Sequence, residues 1–358
     1  MKYCLAIVFG IGVWWIVNDG NILVLAEEAK RGCMISKASH SRIRFDRGIV
    51  DKTKSIPSLV WEVFPSDVEI WCSSGDIANM ALCGNIRSKI RYLNIINKPS
   101  KKGQKLFSEL GKFSNLEEIV IEGEGLESVG SEILELSKLK RLRGLCFRVK
   151  FTITLPEELY LLPVTKLCIS GVGTNSIWLP KGISQMKRLR ILKLCNFSSV
   201  SLPDDIRNSK IEAMVINSVH LGNEVYGLLP NGLKWLDLSE TEVSKVPPRA
   251  LTARLEGLYL YHCRIQKLPN PWILPKKIRE INLARNQIRR IPKIVWPDHT
   301  WCDLYLQGNP IESINPEIIQ RLGDWWLALI HLDEGVKQRL MEEYRDFSKT
   351  KRRETEVP

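Results

Sequence analysis

Leu233-Lys-Trp-Leu-Asp-Leu-Ser-Glu-Thr-Glu-Val243 decides how this chain reads. Apolar residues stand at its first, fourth, sixth and eleventh places. Leu255-Glu-Gly-Leu-Tyr-Leu-Tyr-His-Cys-Arg-Ile265 repeats the pattern, as do Ile278-Arg-Glu-Ile-Asn-Leu-Ala-Arg-Asn-Gln-Ile288 and Trp301-Cys-Asp-Leu-Tyr-Leu-Gln-Gly-Asn-Pro-Ile311. Read backwards, further units start at Ile211, Leu189, Val164, Leu142, Leu116 and Ile90, in steps of 22 to 26 residues. The first, fourth and sixth places of all ten units are apolar. Against a background of 44% hydrophobic residues, chance gives this on the order of 10⁻¹¹. The period therefore needs a structural cause.

Periods of this length belong to stacked repeats. The apolar-x-apolar core of each unit is a short strand whose alternate residues face opposite ways. Its apolar residues point inward and the residues between them point to solvent. No unit can bury its core alone, so stacking supplies the hydrophobic interior. The motifs resemble those of the leucine-rich-repeat superfamily over residues 90–322. That resemblance implies an α/β repeat fold, a horseshoe-like solenoid with a concave parallel sheet. Thirteen residues after most unit starts comes an apolar residue and a proline: Leu155-Pro156, Leu202-Pro203, Val246-Pro247, Leu268-Pro269 and Ile291-Pro292, with Leu179-Pro180 two places late. Proline removes a donor and fixes φ, so the convex side should hold short 3₁₀ turns and extended segments. Place nine is usually Asn in this superfamily, bonding neighbouring turns from inside. Asn286 and Asn309 fit, and Cys263 and Thr241 can substitute. Val219, Phe197 and Val172 cannot, so distorted turns or a bulge are expected before residue 220.

The termini read differently. Lys2 precedes an uncharged run from Leu5 to Val17, a break at Asn18–Gly20, and a second run ending at Val24 and Ala26. This is the layout of a signal peptide over residues 1–26. An uncleaved membrane anchor and a packed helix are the alternatives. Residues 27–64 are basic and weakly periodic and should be weakly structured. Residues 65–89 should cap the N-terminal end, with Val68-Glu-Ile70 as a stunted strand and Cys72 and Cys83 able to form a disulfide. At the other end, Pro316 opens a helix. A helical cap is expected over 323–347, carrying Trp325, Trp326, Leu329, Ile330 and Leu340, and a charged disordered tail over 348–358. A partner-binding amphipathic helix is the alternative for the cap.

Places three, five and seven of each unit should line the concave face. In the units from Leu233 onward they gather Trp235, Asp237, Tyr259, Tyr261, Glu280, Asn282, Asp303 and Tyr305. His262 and Arg285 stand at place eight beside them. Trp, Tyr and Arg dominate binding hot spots, whereas aromatic residues also simply favour strands. These ten residues are the candidate partner-binding site. In the N-terminal units Cys146 and Cys168 share one column, and Cys195 lies one unit on, in the neighbouring column. They read as free, half-exposed thiols. Asn196-Phe-Ser198 is an N-glycosylation sequon.

No phosphate loop, nucleophile elbow, metal-ligand His spacing or CxxC pair occurs, so no cofactor, no metal and no enzymatic activity are expected. The expected function is non-enzymatic protein–protein recognition on the concave face by a secreted or surface-exposed protein. The net charge of +12, with basic clusters at 27–54 and 349–353, supports two alternatives. One is binding of nucleic acid, which is less favoured, or of acidic lipid. The other is a scaffold held at a membrane by the uncleaved N-terminal run. N-terminal sequencing of the protein from its natural source should find Glu27 first. A chain beginning at Met1 would overturn the cleaved leader.

Overall fold

The computed structural model describes backbone alone for the strands Cys4–Ile7, Val13–Asn18, Asn21–Ala26, Cys33–Ala38, His40–Arg44 and Val68–Ser73. It describes 90–97, 106–123, 130–150, 155–172, 176–218, 220–248, 254–297 and 302–355, with side chains as far as Tyr344 except at 96, 97 and 324. The chain forms two compact units, Met1–Leu189 and Arg190–Pro358.

In the first unit the repeat strands Ile90–Asn97, Glu118–Gly123, Gly144–Val149 and Lys166–Ser170 pair in parallel. Leu93 lies opposite Ile119, Ile119 opposite Leu145, and Leu145 opposite Leu167. This is the register set by the unit starts Ile90, Leu116, Leu142 and Val164. Ile119, Ile121, Leu145, Phe147, Leu167 and Ile169 are fully buried, while Val120, Cys146 and Cys168 between them are half-buried.

On the convex side a short helix, Leu106–Leu110, is followed by 3₁₀ turns at Ser131–Lys138, Glu157–Leu161 and Ile183–Gln185. Pro156 shows how the apolar-proline signal works. Its fixed φ of −74° holds an extended residue whose carbonyl accepts from Leu159 N at 3.1 Å, which starts the turn. Leu159, three places on, is fully buried. Pro203 does the same for Ile206 in the second unit. Later repeats carry a second proline (Pro248, Pro271, Pro297) and so lose a second turn donor. There the convex chain is extended, with Trp272–Ile273 pairing to Ile294–Val295 and Arg290–Ile291 to Ser313–Ile314.

The second unit stacks Ile191–Phe197, Ala213–Ser218, Trp235–Asp237, Gly257–Tyr259, Glu280–Asn282, Asp303–Tyr305 and Ile330–His331, all parallel. Place-nine residues tie these strands together from inside. Asn286 Nδ2 donates to Leu260 O at 2.7 Å and Leu283 O at 3.0 Å, and its Oδ1 accepts from Ile265 N at 3.0 Å. Asn309 repeats the set with Leu283 O, Leu306 O and Ile288 N. Cys263 Sγ reaches Leu238 O at 3.3 Å, and Thr241 Oγ1 donates to the same carbonyl at 2.7 Å. Turning place nine inward requires a left-handed residue at place eight. Glu240, His262, Arg285 and Gly308 all have φ between 52° and 70°.

The irregularity expected earlier in the chain is a bulge. Leu194 pairs with Ile216, but Phe197 pairs with Ser218, so the Ile191–Phe197 strand carries one extra residue. Asn196 sits in it with φ 60°. Val219 lies outside the described residues; the neighbouring Ser218 is buried and bonds Ser198 O at 3.1 Å instead.

The ends depart from expectation. The anticipated helical cap over 323–347 is interrupted. After Pro316–Leu322, capped by Asn315, come a 3₁₀ turn and the short helix Trp326–Leu329. Ile330–His331 is then one more repeat strand, pairing with Leu304 and Tyr305. The last helix spans Glu334–Thr355 and takes in most of the segment read as a disordered tail. Residues 336–357 contain neither Gly nor Pro, and their Glu, Lys and Arg are good helix formers. Near the N-terminus, Val68–Ser73 pairs in parallel with the first repeat strand, Val68 opposite Ile90. Its other edge pairs with His40–Arg44, inside the segment expected to be weakly structured. An open strand edge offers a row of unmade hydrogen bonds that such a segment can take up. The first three strands lie within residues 1–26, the expected leader. Cys83 is outside the described residues, so the Cys72–Cys83 pairing lies there too.

Asn286→Ala strands the buried Leu260 O and Ile265 N, while Leu283 O keeps its bond from Asn309, and should cost about 2 kcal/mol in urea unfolding, from the penalty of unsatisfied buried donors and acceptors. Gln287→Ala, next door and exposed, should cost less than about 0.5 kcal/mol. Equal costs would remove the asparagine from its structural role.

Candidate partner-binding face

Strand alternation puts places three and five of each repeat on one solvent face, and register sets them in columns. One column runs Trp235, Gly257, Glu280, Asp303. The next runs Asp237, Tyr259, Asn282, Tyr305. Seven of the ten sequence-derived site residues thus lie together on four adjacent strands.

Gly257 shapes the face by lacking a side chain. A Cβ there would come within 2.2 Å of Trp235 Cε3. Its absence lets the Trp235 indole lie over the strand and stack with Tyr259, centroids 6.3 Å apart and planes at 17°. Trp235 is still 39% exposed, so one indole surface is available. Tyr259 OH donates to Glu280 Oε2 at 2.8 Å. Partial burial, then that bond and the nearby Glu280 and Asp237 carboxylates, push the Tyr259 phenol well above its ordinary pKa. Tyr305 is raised by burial and by Asp303 and Glu280. Both phenols stay protonated across the physiological range. Asp237 Oδ1 accepts from Ser239 N at 2.9 Å, and Asn282 Oδ1 from Ala284 N at 3.0 Å. These bonds hold both side chains at the strand ends.

Tyr261, His262 and Arg285 form a second group, where the strands end. The Arg285 guanidinium lies 5.6 Å from the Tyr261 ring centroid, and His262 tilts against the same ring. Both cationic-type residues occupy left-handed place-eight positions, which carry their side chains to the rim.

His331 was missed by sequence reasoning. Its ring stacks on Tyr305 with centroids 4.3 Å apart and planes at 10°, and its Nε2 lies 3.2 Å from Asp303 Oδ1. The signal was Ile330-His-Leu332, an apolar-x-apolar triplet 26 residues after Leu304. It was hidden in an apolar cluster with helical spacing.

In the first unit, Gly144 plays a part similar to Gly257. A Cβ there would come within 2.9 Å of the Glu118 side chain, which crosses the strand to Lys166 Nζ at 2.7 Å and lies 3.8 Å from Cys146 Sγ. Burial alone would lower the Lys166 pKa, but bonding to Glu118 and its charge raise it. The Cys146 thiol is pushed far up by its hydrogen bond with Cys168 and by burial. Cys146, Cys168 and Cys195 are half-buried thiols. Cys302, under the aromatic face, is free and buried, its pKa pushed up to about 12 by burial and then by Asp303 and Glu280. Asn196 is exposed on the bulge. Among the described residues, no group of three or more His, Cys, Asp and Glu side chains is placed to hold a metal ion, and no helix is long and apolar enough to cross a membrane.

No family model matches the chain. A curated relative, a Roc-COR-CHAT protease from an unknown prokaryotic organism, is 38% identical over 122 residues, 34% of this chain and 10% of that protein. The chain thus spans about a tenth of that relative's length. Similar solved structures include an internalin of Listeria monocytogenes (13% identity, 70% of this chain and 72% of that one, TM-score 0.40). A leucine-rich-repeat protein of Leptospira interrogans is 16% identical (79% and 94% covered, TM-score 0.38). Toll in the Drosophila Toll–Spätzle complex is 11% identical (87% and 53%, TM-score 0.45). The period of the units, the parallel register of their strands and the inward asparagines at 286 and 309 make these repeats leucine-rich repeats, stacked as a solenoid.

Proposed function

We propose that this protein is a non-enzymatic recognition module that holds a protein partner on the sheet face of residues 235–331. One observation carries the reading. Trp235 and Tyr259 are stacked on adjacent strands, above a glycine, with indole surface left open to solvent. Aromatic side chains fixed by their neighbours lose little freedom on binding and bury large areas, which is why they dominate hot spots. Tyr305, already stacked on His331, extends the same surface. Asp237, Glu280, Asn282 and Asp303 supply polar groups between the rings, and Tyr261, His262 and Arg285 form its rim.

The apolar run at Leu5–Val17 and the small residues before Glu27 support export, with the leader removed. On that reading the protein is secreted or surface-exposed, Asn196 is accessible to a glycan, and Cys72 can pair with Cys83. Retention of the leader would instead anchor the same face to a membrane.

The test uses the full chain as bait in cross-linked capture from its natural medium. Trp235→Ala, Tyr259→Ala and Tyr305→Ala should each weaken capture of the retained partner by about 30-fold, as expected of a hot-spot aromatic. Circular dichroism should be unchanged. Undiminished capture by all three variants would remove the partner from this face.

A further inference from the structure

The face joins two features, aromatic rings and carboxylates. Its aromatic planes alternate with carboxylates: Glu280 and Asp303 in one column, and Asp237 in the next on the strand of Trp235. Each carboxylate has a partner, but not a strong cation. Asp237 takes a backbone N–H, Glu280 takes the Tyr259 hydroxyl, and Asp303 takes the His331 ring. No Lys or Arg ion pair to any of the three occurs among the described residues.

Elsewhere in this unit several acids are paired with Lys or Arg. Glu212 pairs with Lys234 at 2.6 Å and Glu242 with Arg264 at 2.8 Å. Glu317 pairs with Lys293 at 2.6 Å, and Glu312 with Arg289. A protein with a net charge of +12 has cations to spare, yet the one described at this face, Arg285, sits at the rim over Tyr261 and pairs with none of the three carboxylates. Burial first, and then the same carboxylates, raise the pKa values of Tyr259 and Tyr305.

The rings point to the same ligand chemistry. The negative face of an aromatic ring attracts a cation, and Arg most often. The molecule itself seats one guanidinium this way, Arg285 over Tyr261 at the rim. At the centre, Trp235, Tyr259 and Tyr305 offer the ring surface left by their own stacking, each beside a carboxylate that can accept N–H bonds from a guanidinium or ammonium.

We propose that the face of Trp235, Tyr259 and Tyr305, with Asp237, Glu280 and Asp303, takes a partner segment bearing Arg or Lys side chains. Aromatic planes receive their stems and cationic heads, and the three carboxylates bind the charges. This rests on the recognition role proposed above and adds the chemistry of the bound segment. Carboxylates left without a Lys or Arg partner beside exposed rings are what favour this face for such a segment.

The test measures fluorescence anisotropy of a labelled peptide alternating Gly and Arg on the full chain. The same peptide with citrulline (neutral and nearly isosteric) or with Glu in place of Arg serves as comparison. The Arg peptide should bind, more weakly as salt is raised, and both comparison peptides should bind at least about tenfold more weakly, the scale of a few partly exposed ion pairs. Asp237→Asn/Glu280→Gln/Asp303→Asn should lose about tenfold or more. Glu212→Gln/Glu242→Gln, off the face, should lose nothing. If the triple variant does not fold, Glu280→Gln/Asp303→Asn and the salt dependence carry the same expectation. Equal binding of the citrulline peptide, absence of Arg-peptide binding, or full affinity in the triple variant would overturn the proposal. If Trp235→Ala still weakens capture of the natural partner, the face stands and only its charge preference falls. If capture too is unaffected, both fall.

Discussion

A strand of three residues can neither pair its own backbone nor bury its own side chains. Every other feature of this chain follows from that constraint. Leu236, Leu258, Ile281 and Leu304 are buried only because each strand lies against the next. The turn that follows each strand leaves polar backbone groups inside, where water cannot reach them. Asn286 and Asn309 satisfy those groups on both sides at once, which ties each repeat to its predecessor. Cys263 and Thr241 do so with fewer bonds.

The same turn organises the outside. Placing residue nine inward requires a left-handed conformation at residue eight, a strain on the order of 1–3 kcal/mol for a residue other than glycine. The buried hydrogen bonds offset it. Residue eight then projects at the rim, so the core asparagine and the rim side chain are set by a single bend. Arg285 reaches Tyr261 for that reason. Core and face are not independent here: a substitution that relaxes the bend would alter both.

Much of this was legible because the period is so strict. The unit starts fixed the strand register even in the first unit, where Ile119, Leu145 and Leu167 pair as the spacing requires. Alternation along the strand then assigned Trp235, Tyr259 and Tyr305 to the exposed side. What stayed hidden depends on relations between strands or on broken spacing. His331 belongs to a repeat whose preceding residues, Trp325 to Leu329, also suit a helix, and part of them forms one. The bulge at Asn196 could be anticipated from the poor residues at place nine, but not located. The helix through Thr355 was obscured because its charge suggested solvation, whereas local propensity favoured a helix.

Gly257 and Gly144 add a further consequence. Each is a gap in a column through which a neighbour reaches sideways, Trp235 toward Tyr259 and Glu118 toward Lys166. The reach of one residue is thus encoded in the next repeat. A map of this surface made by substituting alanine would score Gly257 as strongly as an aromatic anchor, though it offers a ligand almost nothing to touch. Surfaces of this kind diversify through gaps as much as through side chains: opening or closing one position re-aims residues a full repeat away.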